Sequence, residues 1–217
     1  MSAGFKVITD NNIVQVDENY SNLYLSRTIK LSSLGQVERT EYYVLDLESN
    51  ERLVAIYVTN NALVVQEPFY NQNISNRFYF WLCNGKASDV TLYVFGEKKQ
   101  SNGNSGLQIF NERGECIFDS NFKPMTVSHF GTNYNSVTFD SNRKYAICTF
   151  GYNLIIAEMV QPNGIGYFFH VPYIRNGVLT VDDVKMVNGT LNGGGIPQYE
   201  WGRFNMFSYL VVDVTDY

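Results

Sequence analysis

The sequence predicts an all-β protein made of two related antiparallel β-sandwich units, and three observations support this prediction. The first is composition: the 217 residues include 16 Tyr and 15 Phe, which favour strands, and 24 Asn and 17 Gly, which favour turns. The second is the alternation of short apolar runs with turn signals, without a 3.6-residue apolar period sustained for three turns. The third is that the same order of runs occurs twice along the chain.

Each unit begins with a predicted β-hairpin. Residues 4–20 align without a gap on residues 106–122, with identical residues at Gly4/Gly106, Asp17/Asp119 and Asn19/Asn121. The two turns place Asn12 and Gly114 in equivalent positions, and both residue types tolerate the left-handed conformation that a tight hairpin needs. We expect Asp17 and Asp119 to end the second strand of each hairpin, where a short carboxylate can accept hydrogen bonds from the next turn.

The apolar runs after each hairpin also follow one order. Residues 47–50 before Arg52 parallel residues 139–142 before Arg143. The paired runs that follow are 53–58 with 145–150, 63–67 with 154–158, 78–82 with 167–171, and 90–95 with 209–214. We interpret this order as an internal duplication.

The repeat divides the chain into an N-terminal unit at 1–97, a linker at 98–105 and a C-terminal unit at 106–217. The linker is polar and has no apolar period. The second unit carries an excursion at 172–208 that the first unit lacks, and long loops on rigid scaffolds often carry function. The plainer alternative is an extra hairpin with one strand at Val178–Val181 and a mobile tip at residues 193–195. Whether the two units share a core stays open at this point.

Charge and cysteine content limit the classes of partner. The net charge of −5 and the scarcity of basic clusters argue against nucleic-acid binding. The first sixteen residues lack the basic and apolar regions of a signal peptide, and no run is long enough for a membrane span, so we expect no membrane insertion. Cys83, Cys116 and Cys148 are odd in number and lie in apolar surroundings, which is typical of reduced core cysteines.

The motifs of cofactor and nucleophile chemistry are missing. No phosphate-binding glycine loop is followed by a helix signal, and Gly-x-Ser-x-Gly does not occur. The two histidines, His129 and His170, have no neighbouring ligand at the spacing of a zinc site. We therefore expect no catalytic residues, no cofactor and no metal.

Two sets of side chains are considered as sites. Glu67 and Glu158 occupy equivalent places at strand ends, and Glu200 adjoins Trp201, but duplication explains the first pair without catalysis. Tyr199, Trp201 and Arg203 alternate, so in an extended segment they share one face. Such a face can stack on a sugar ring or anchor a protein interface, and packing against the adjacent unit is the plainer alternative.

Residues 106–124 carry a family resemblance. The pattern is a glycine, a short strand, a turn with glycine, a second strand, then Phe118-Asp119-Ser120 and Lys123-Pro124. This segment resembles one in small structural proteins of long-tailed bacteriophages and prophages that are encoded among tail-tip and tail-fibre genes. The two ends of the chain also resemble the ends of such proteins, although a coiled coil and a fibrous repeat are lacking.

The resemblance implies a non-enzymatic structural protein of the distal tail or tail-fibre network. Its expected location is the virion, after assembly in the host cytoplasm. Its expected partners are other virion tail proteins and further copies of itself, with a trimer expected by analogy. The first alternative is a receptor-binding or lectin-like module that recognises host-surface glycans through the excursion. The further alternative is a glycan-active enzyme.

Overall fold

The computed structural model describes residues 6–8, 14–17, 22–36, 42–67, 76–97, 106–114, 116–132, 136–150, 154–160, 164–190 and 208–217. Of these, residues 6–8, 14–17, 67, 154–160, 164–170 and 182–190 are described by their backbone alone. The predicted all-β class is confirmed. The described strands are β1 (Lys6–Ile8), β2 (Val14–Asp17), β3 (Tyr24–Lys30), β4 (Tyr42–Asp46), β5 (Glu51–Val58), β6 (Leu63–Glu67), β7 (Arg77–Asn84), β8 (Val90–Gly96), β9 (Gln108–Phe110), β10 (Cys116–Asp119), β11 (Thr126–Gly131), β12 (Tyr145–Phe150), β13 (Leu154–Val160), β14 (Gly164–Arg175), β15 (Val178–Thr190) and β16 (Ser208–Asp213).

A six-stranded antiparallel sheet forms the centre of the fold, in the order β11-β16-β12-β5-β8-β3. Strands from both predicted units belong to this sheet, and they meet where Ile147 of β12 pairs with Ile56 of β5. The sequence left open whether the two units share a core. Both units contribute to one buried cluster, which includes Ala55, Phe95, Cys148 and Val212. The two units therefore share a core.

The two edge strands of the central sheet meet at one corner, so the sheet curls into a partly closed barrel. The Leu25 amide donates to the Lys123 carbonyl at 2.9 Å, and the Met125 amide donates to the Leu23 carbonyl at 2.7 Å. Along the rest of its length, β11 pairs with β16 alone among the described strands.

Side chains of the central sheet alternate between two buried faces. Along β8, Tyr93 and Phe95 belong to the core inside the curled sheet, whereas Leu92 and Val94 belong to a second core on the outer face. Because both faces are covered, every residue of β8 is buried. This explains why the strand reads in the sequence as one continuous apolar run. Burial of a Phe such as Phe95 contributes about 1.5–3 kcal/mol.

Two three-stranded sheets cover the outer face and complete a sandwich. The sheet β4-β7-β6 packs on the first half of the central sheet through contacts that include Phe80, Leu82, Val54 and Leu92. The sheet β13-β14-β15 packs on the second half through Leu179, Ile174, Tyr145 and Tyr209. Val65 of β6 lies in one cluster with Val171 of β14, which joins the two outer sheets.

The two halves repeat one order of strands. Each half begins with a hairpin, β1-β2 in the first and β9-β10 in the second. Strands β3, β5 and β8 then take the same relative places in the central sheet as β11, β12 and β16. The pairs β6-β7 and β13-β14 lie in the outer sheets. This order agrees with the repeat seen in the sequence. The common origin of the two halves stays a prediction.

The predicted excursion begins as a continuation of β14. That strand runs on through Pro172 to Arg175, and a turn at Asn176 and Gly177 leads into β15. The predicted strand Val178–Val181 is the start of β15. Residues 191–207, which include the predicted mobile tip, lie outside the described residues, as does the predicted linker at 98–105.

The local predictions for the second hairpin, defined here as residues 106–120, are confirmed. Gly114 adopts a φ of 75°, which is the left-handed conformation expected at this turn. Asp119 Oδ1 accepts a hydrogen bond from the Asn121 amide at 2.9 Å, as expected for a carboxylate that ends a strand. Asn12 and the side chain of Asp17 lie outside the described residues.

Candidate functional site

The predicted aromatic site cannot be located in the fold. Tyr199, Trp201 and Arg203 lie outside the described residues, so their common face stays a prediction. Glu200 lies outside them as well. Glu67 ends β6 as expected. Glu158 does not end its strand, because β13 continues to Val160 and a register shift lies between Ala157 and Met159. The prediction that Glu67 and Glu158 both end strands is therefore wrong for Glu158.

The thiols occupy two kinds of environment. Cys148 is 1% exposed, and burial raises the pKa of its thiol to about 12. Cys83 and Cys116 are only half-buried. The prediction that all three cysteines are core residues is therefore confirmed for Cys148 alone. His129 is half-buried on β11, with its ring centroid 6.0 Å from those of Phe139 and Tyr209.

Among the described residues, three carboxylates have clearly shifted pKa values, and all three shifts are downward. Arg77 lowers the pKa of Asp46 mainly through a hydrogen bond. Burial alone raises the pKa of Glu51 and of Asp213, but hydrogen bonds from neighbouring groups outweigh burial and bring both pKa values below their ordinary range. The general acid of a glycosidase requires a raised pKa, so these carboxylates have the opposite tuning.

The second hairpin exposes large apolar side chains at its first strand. Leu107 is 60% exposed and Phe110 is 55% exposed, at either end of β9. Among the described strands, β9 pairs with β10 alone. The stretch 107–110 carries no charge and no proline, which are the usual protections of a sheet edge. Phe130, which is 58% exposed, lies on β11, which ends the central sheet and pairs with β16 alone among the described strands of that sheet.

A cleft lies where the ends of both halves meet, and we call it the junction cleft. Its volume is about 270 Å³. Two turns form its walls: the turn at Asn60, which connects β5 of the central sheet to β6 of an outer sheet, and the hairpin turn at Asn176 between β14 and β15. The polar and aromatic residues that line it include Tyr57, Asn60, Arg143, Tyr145, Arg175 and Asn176. None of the described lining residues is acidic.

Charge in the junction cleft is only partly compensated. Arg143 is paired with Asp213, whose side chain lies nearly buried beside the cleft. Arg175 forms no ion pair with any described residue, and its guanidinium instead lies over the Tyr173 ring, 4.7 Å from the ring centroid. The described part of the cleft therefore carries one uncompensated positive charge on a protein whose net charge is −5.

Neither the exposure of the apolar stretch 107–110 nor the junction cleft is predicted by the sequence. The sequence predicts that the apolar stretch 107–110 forms one strand of an ordinary hairpin. It does not show which edge of that strand lacks a partner. The junction cleft joins residues more than a hundred positions apart, such as Asn60 and Asn176. No local pattern connects them.

The described residues contain neither a cluster of three or more His, Cys, Asp or Glu side chains suited to a metal ion nor a helix long and apolar enough to cross a membrane. In comparisons with known proteins, no protein-family model, no curated protein and no solved structure matches this chain.

Proposed function

We propose that this protein is a non-enzymatic structural component of a bacteriophage tail and that it works by binding further copies of itself and other tail proteins. The observation that carries this proposal is that β9 and β11 of the second half each have one partner among the described strands and expose large apolar side chains at or beside them. A free edge presents unpaired N–H and C=O groups, and an incoming strand can satisfy them while it covers Leu107 and Phe110. The resemblance of residues 106–124 to tail proteins supports the same conclusion.

The two edges suggest how copies join. In the proposed contact, β9 of one copy pairs with the outer edge of β11 of the next, so Phe110 approaches the partner's Phe130. Such a contact uses different surfaces on the two copies, and it closes into a ring when the rotation allows it. This geometry agrees with the trimer expected from the resemblance.

The test is the oligomeric state of the purified protein, measured by mass photometry and light scattering. We expect an oligomer for the native chain and a monomer for both Leu107→Lys/Phe110→Lys and Phe130→Lys. Mixing the two variants should restore a dimer, because one copy keeps an intact β9 edge and the other an intact β11 edge. Val178→Lys is the control, since Val178 is also an exposed apolar residue, at 37%, but lies on neither edge. A native monomer would contradict the proposed assembly.

The tail assignment has a separate test. Mass spectrometry of purified phage particles, produced from a lysogen that encodes this chain, should detect its peptides in stoichiometric amounts relative to known tail proteins. Particles that lack the chain would refute the tail assignment, whatever its oligomeric state.

A second candidate function is recognition of host-surface glycans, and the junction cleft favours it. The cleft is concave, lies between the two halves of the sandwich and combines the half-buried Tyr57 with amide and guanidinium groups. These are features of small-molecule sites, which place a few polar groups on a largely preformed apolar frame.

A further inference from the structure

We propose that the junction cleft binds a carboxylate-bearing sugar and that Arg175 is the residue that binds the carboxylate. This inference rests on the second candidate function and names its ligand class and its central residue. It concerns the turns at Asn60 and Asn176 and not the predicted face at Tyr199, Trp201 and Arg203. It is independent of the assembly through β9 and β11.

The walls of the cleft are held in place before any ligand arrives. Thr59 donates from its amide and from its hydroxyl to the Asp89 carbonyl, at 2.9 and 3.1 Å. On the other wall, the Phe139 amide donates to the Gly177 carbonyl at 2.6 Å. Asn60 and Asn176 adopt φ values of 53° and 51°, so both turns use the left-handed conformation. Fixed walls reduce the entropy that a ligand loses on binding.

The asparagine amides are available to a ligand. Asn60 and Asn176 are exposed, and their side chains make no hydrogen bond with any described residue. An amide offers both a donor and an acceptor, which matches the hydroxyl groups of a sugar. Tyr57, which is half-buried, adds aromatic surface on which the apolar face of a sugar ring can pack, whereas Tyr145 is buried and supports the floor of the cleft.

The positive charge of the Arg175 guanidinium favours a ligand with a negative charge. Stacking over Tyr173 restricts its planar fork, and the fork keeps its hydrogen-bond donors free of any carboxylate among the described residues. A guanidinium binds a carboxylate through two parallel hydrogen bonds, which are stronger than bonds between neutral groups. Arg143 adds donors on the opposite side, although one of them is already used by Asp213. A neutral sugar would leave the Arg175 charge without a partner, whereas a uronic acid would supply one.

The size of the cleft limits the ligand to a short saccharide. Its volume of about 270 Å³ lies near the lower end of small-molecule sites, which begin at about 300 Å³. A single acidic ring, or the acidic end of a longer chain, is the ligand that fits. Such a ring occurs in bacterial surface polysaccharides that contain uronic acids.

The test is a titration followed by NMR, with glucuronate, glucose and acetate as three separate probes. We expect glucuronate to shift the amide resonances of Asn60 and Asn176, and to bind at least about tenfold more tightly than glucose or acetate. Arg175→Gln should weaken glucuronate binding by about tenfold or more and leave the weak binding of glucose unchanged. Arg52→Gln is the matched control, because Arg52 is 45% exposed and lies at the opposite end of β5.

The outcomes separate the two levels of the proposal. Equal binding of glucose and glucuronate would overturn the acidic ligand but keep glycan recognition, whereas no response to either sugar would overturn both. Acetate that binds as tightly as glucuronate would refute a sugar site. Full binding by Arg175→Gln would refute the role of Arg175. If that variant is unstable, Arg175→Lys replaces it, since it keeps the charge, loses the fork and is expected to bind with intermediate affinity.

Discussion

The carboxylate of Glu51 and the guanidinium of Arg27 join strands β5 and β3, which are separated in the central sheet by β8. Arg27 Nε donates to Glu51 Oε1 at 2.9 Å, and Arg27 Nη2 donates to Glu51 Oε2 at 2.8 Å. The ion pair passes the end of β8 at Gly96, which pairs with Tyr24 on one side and with Glu51 on the other. A side chain at Gly96 would collide with the backbone, because a Cβ there would lie 2.4 Å from the Asn50 carbonyl oxygen.

The first prediction concerns the stability that this pair contributes. Glu51→Gln keeps the size of the side chain but leaves Arg27 without its carboxylate, and Glu51 is fully buried whereas Arg27 is 36% exposed. We expect a loss of about 2 kcal/mol in the free energy of unfolding, measured by urea denaturation. The control is Glu97→Gln, which breaks the exposed pair with Arg52 and should cost less than about 1 kcal/mol. Equal losses in the two variants would contradict a buried structural role for Glu51.

The second prediction is a decline of stability in acid. Burial raises the pKa of Glu51, but hydrogen bonds from Arg27, the Glu48 amide and Ser26 together lower it below its ordinary value of 4.5. A carboxyl with a lowered pKa in the folded state stabilises the fold above its unfolded pKa, and this contribution is lost as the pH falls through the folded pKa. The free energy of unfolding should therefore decrease as the pH is lowered below 4.5. Urea titrations at several pH values should show a shallower fall for Glu51→Gln.

The third prediction compares two copies of the same tetrapeptide. Phe-Asp-Ser-Asn occurs at residues 118–121 and 139–142, and both copies form the same turn. Asp119 Oδ1 accepts from the Asn121 amide at 2.9 Å, and Asp140 Oδ1 accepts from the Asn142 amide at 2.9 Å. Asp119, however, is fully buried and also accepts from Gln108 Nε2 at 2.7 Å, whereas Asp140 is exposed.

Asp119→Ala should consequently loosen the second hairpin far more than Asp140→Ala loosens its own turn. The first change leaves the partly buried donors of Gln108 and Asn121 without an acceptor, at a cost of about 2 kcal/mol, while water can replace the exposed Asp140. Hydrogen exchange of the Ser120 amide, which donates to the Leu107 carbonyl, should accelerate by about 30-fold or more in Asp119→Ala. An unchanged exchange rate would show that Asp119 does not hold the hairpin closed.

The fourth prediction separates backbone strain from steric collision. Gly114 and Gly177 have almost the same φ, 75° and 74°, but a Cβ at Gly114 would meet open space, whereas a Cβ at Gly177 would lie 2.4 Å from the Phe139 carbonyl oxygen. Gly114→Ala should cost about 1 kcal/mol through φ alone, and Gly177→Ala should exceed about 2 kcal/mol. Thermal or urea unfolding measures both. Equal costs would contradict the predicted collision, because they would show that the backbone at Phe139 moves aside for the added Cβ.

The fifth prediction concerns thiol reactivity. Because burial raises the pKa of Cys148 to about 12 and the residue is 1% exposed, its thiol should stay unreactive in the native protein near neutral pH. Cys83 and Cys116 are half-buried and should react faster with an aromatic disulfide reagent. Cys148→Ala should therefore leave the native reaction unchanged and lower the total thiol count only after denaturation. Rapid native labelling of Cys148 would contradict its place in the shared core.

Local sequence carried enough information to predict the strands but not their partners. The runs predicted at 145–150 and 63–67 coincide with β12 and β6, because a short apolar run between turn signals has few alternatives in an antiparallel fold. The buried partner of Glu51 could not be predicted in this way. Arg27 lies 24 positions away and two strands across, and many exposed arginines share its local pattern.

The amino-acid sequence by itself determined the all-β class, the repeated order of apolar runs and the turn at Gly114, since these depend on composition and on neighbours within a few residues. The tertiary structure alone decided that both halves share one curled sheet, that β9 and β11 each have one partner among the described strands, and that Arg175 and Asn60 line one cleft. The physical reason is that strand pairing and burial depend on contacts between distant segments. Alternative pairings of the same apolar strands differ little in any local property, so only the packed whole distinguishes them.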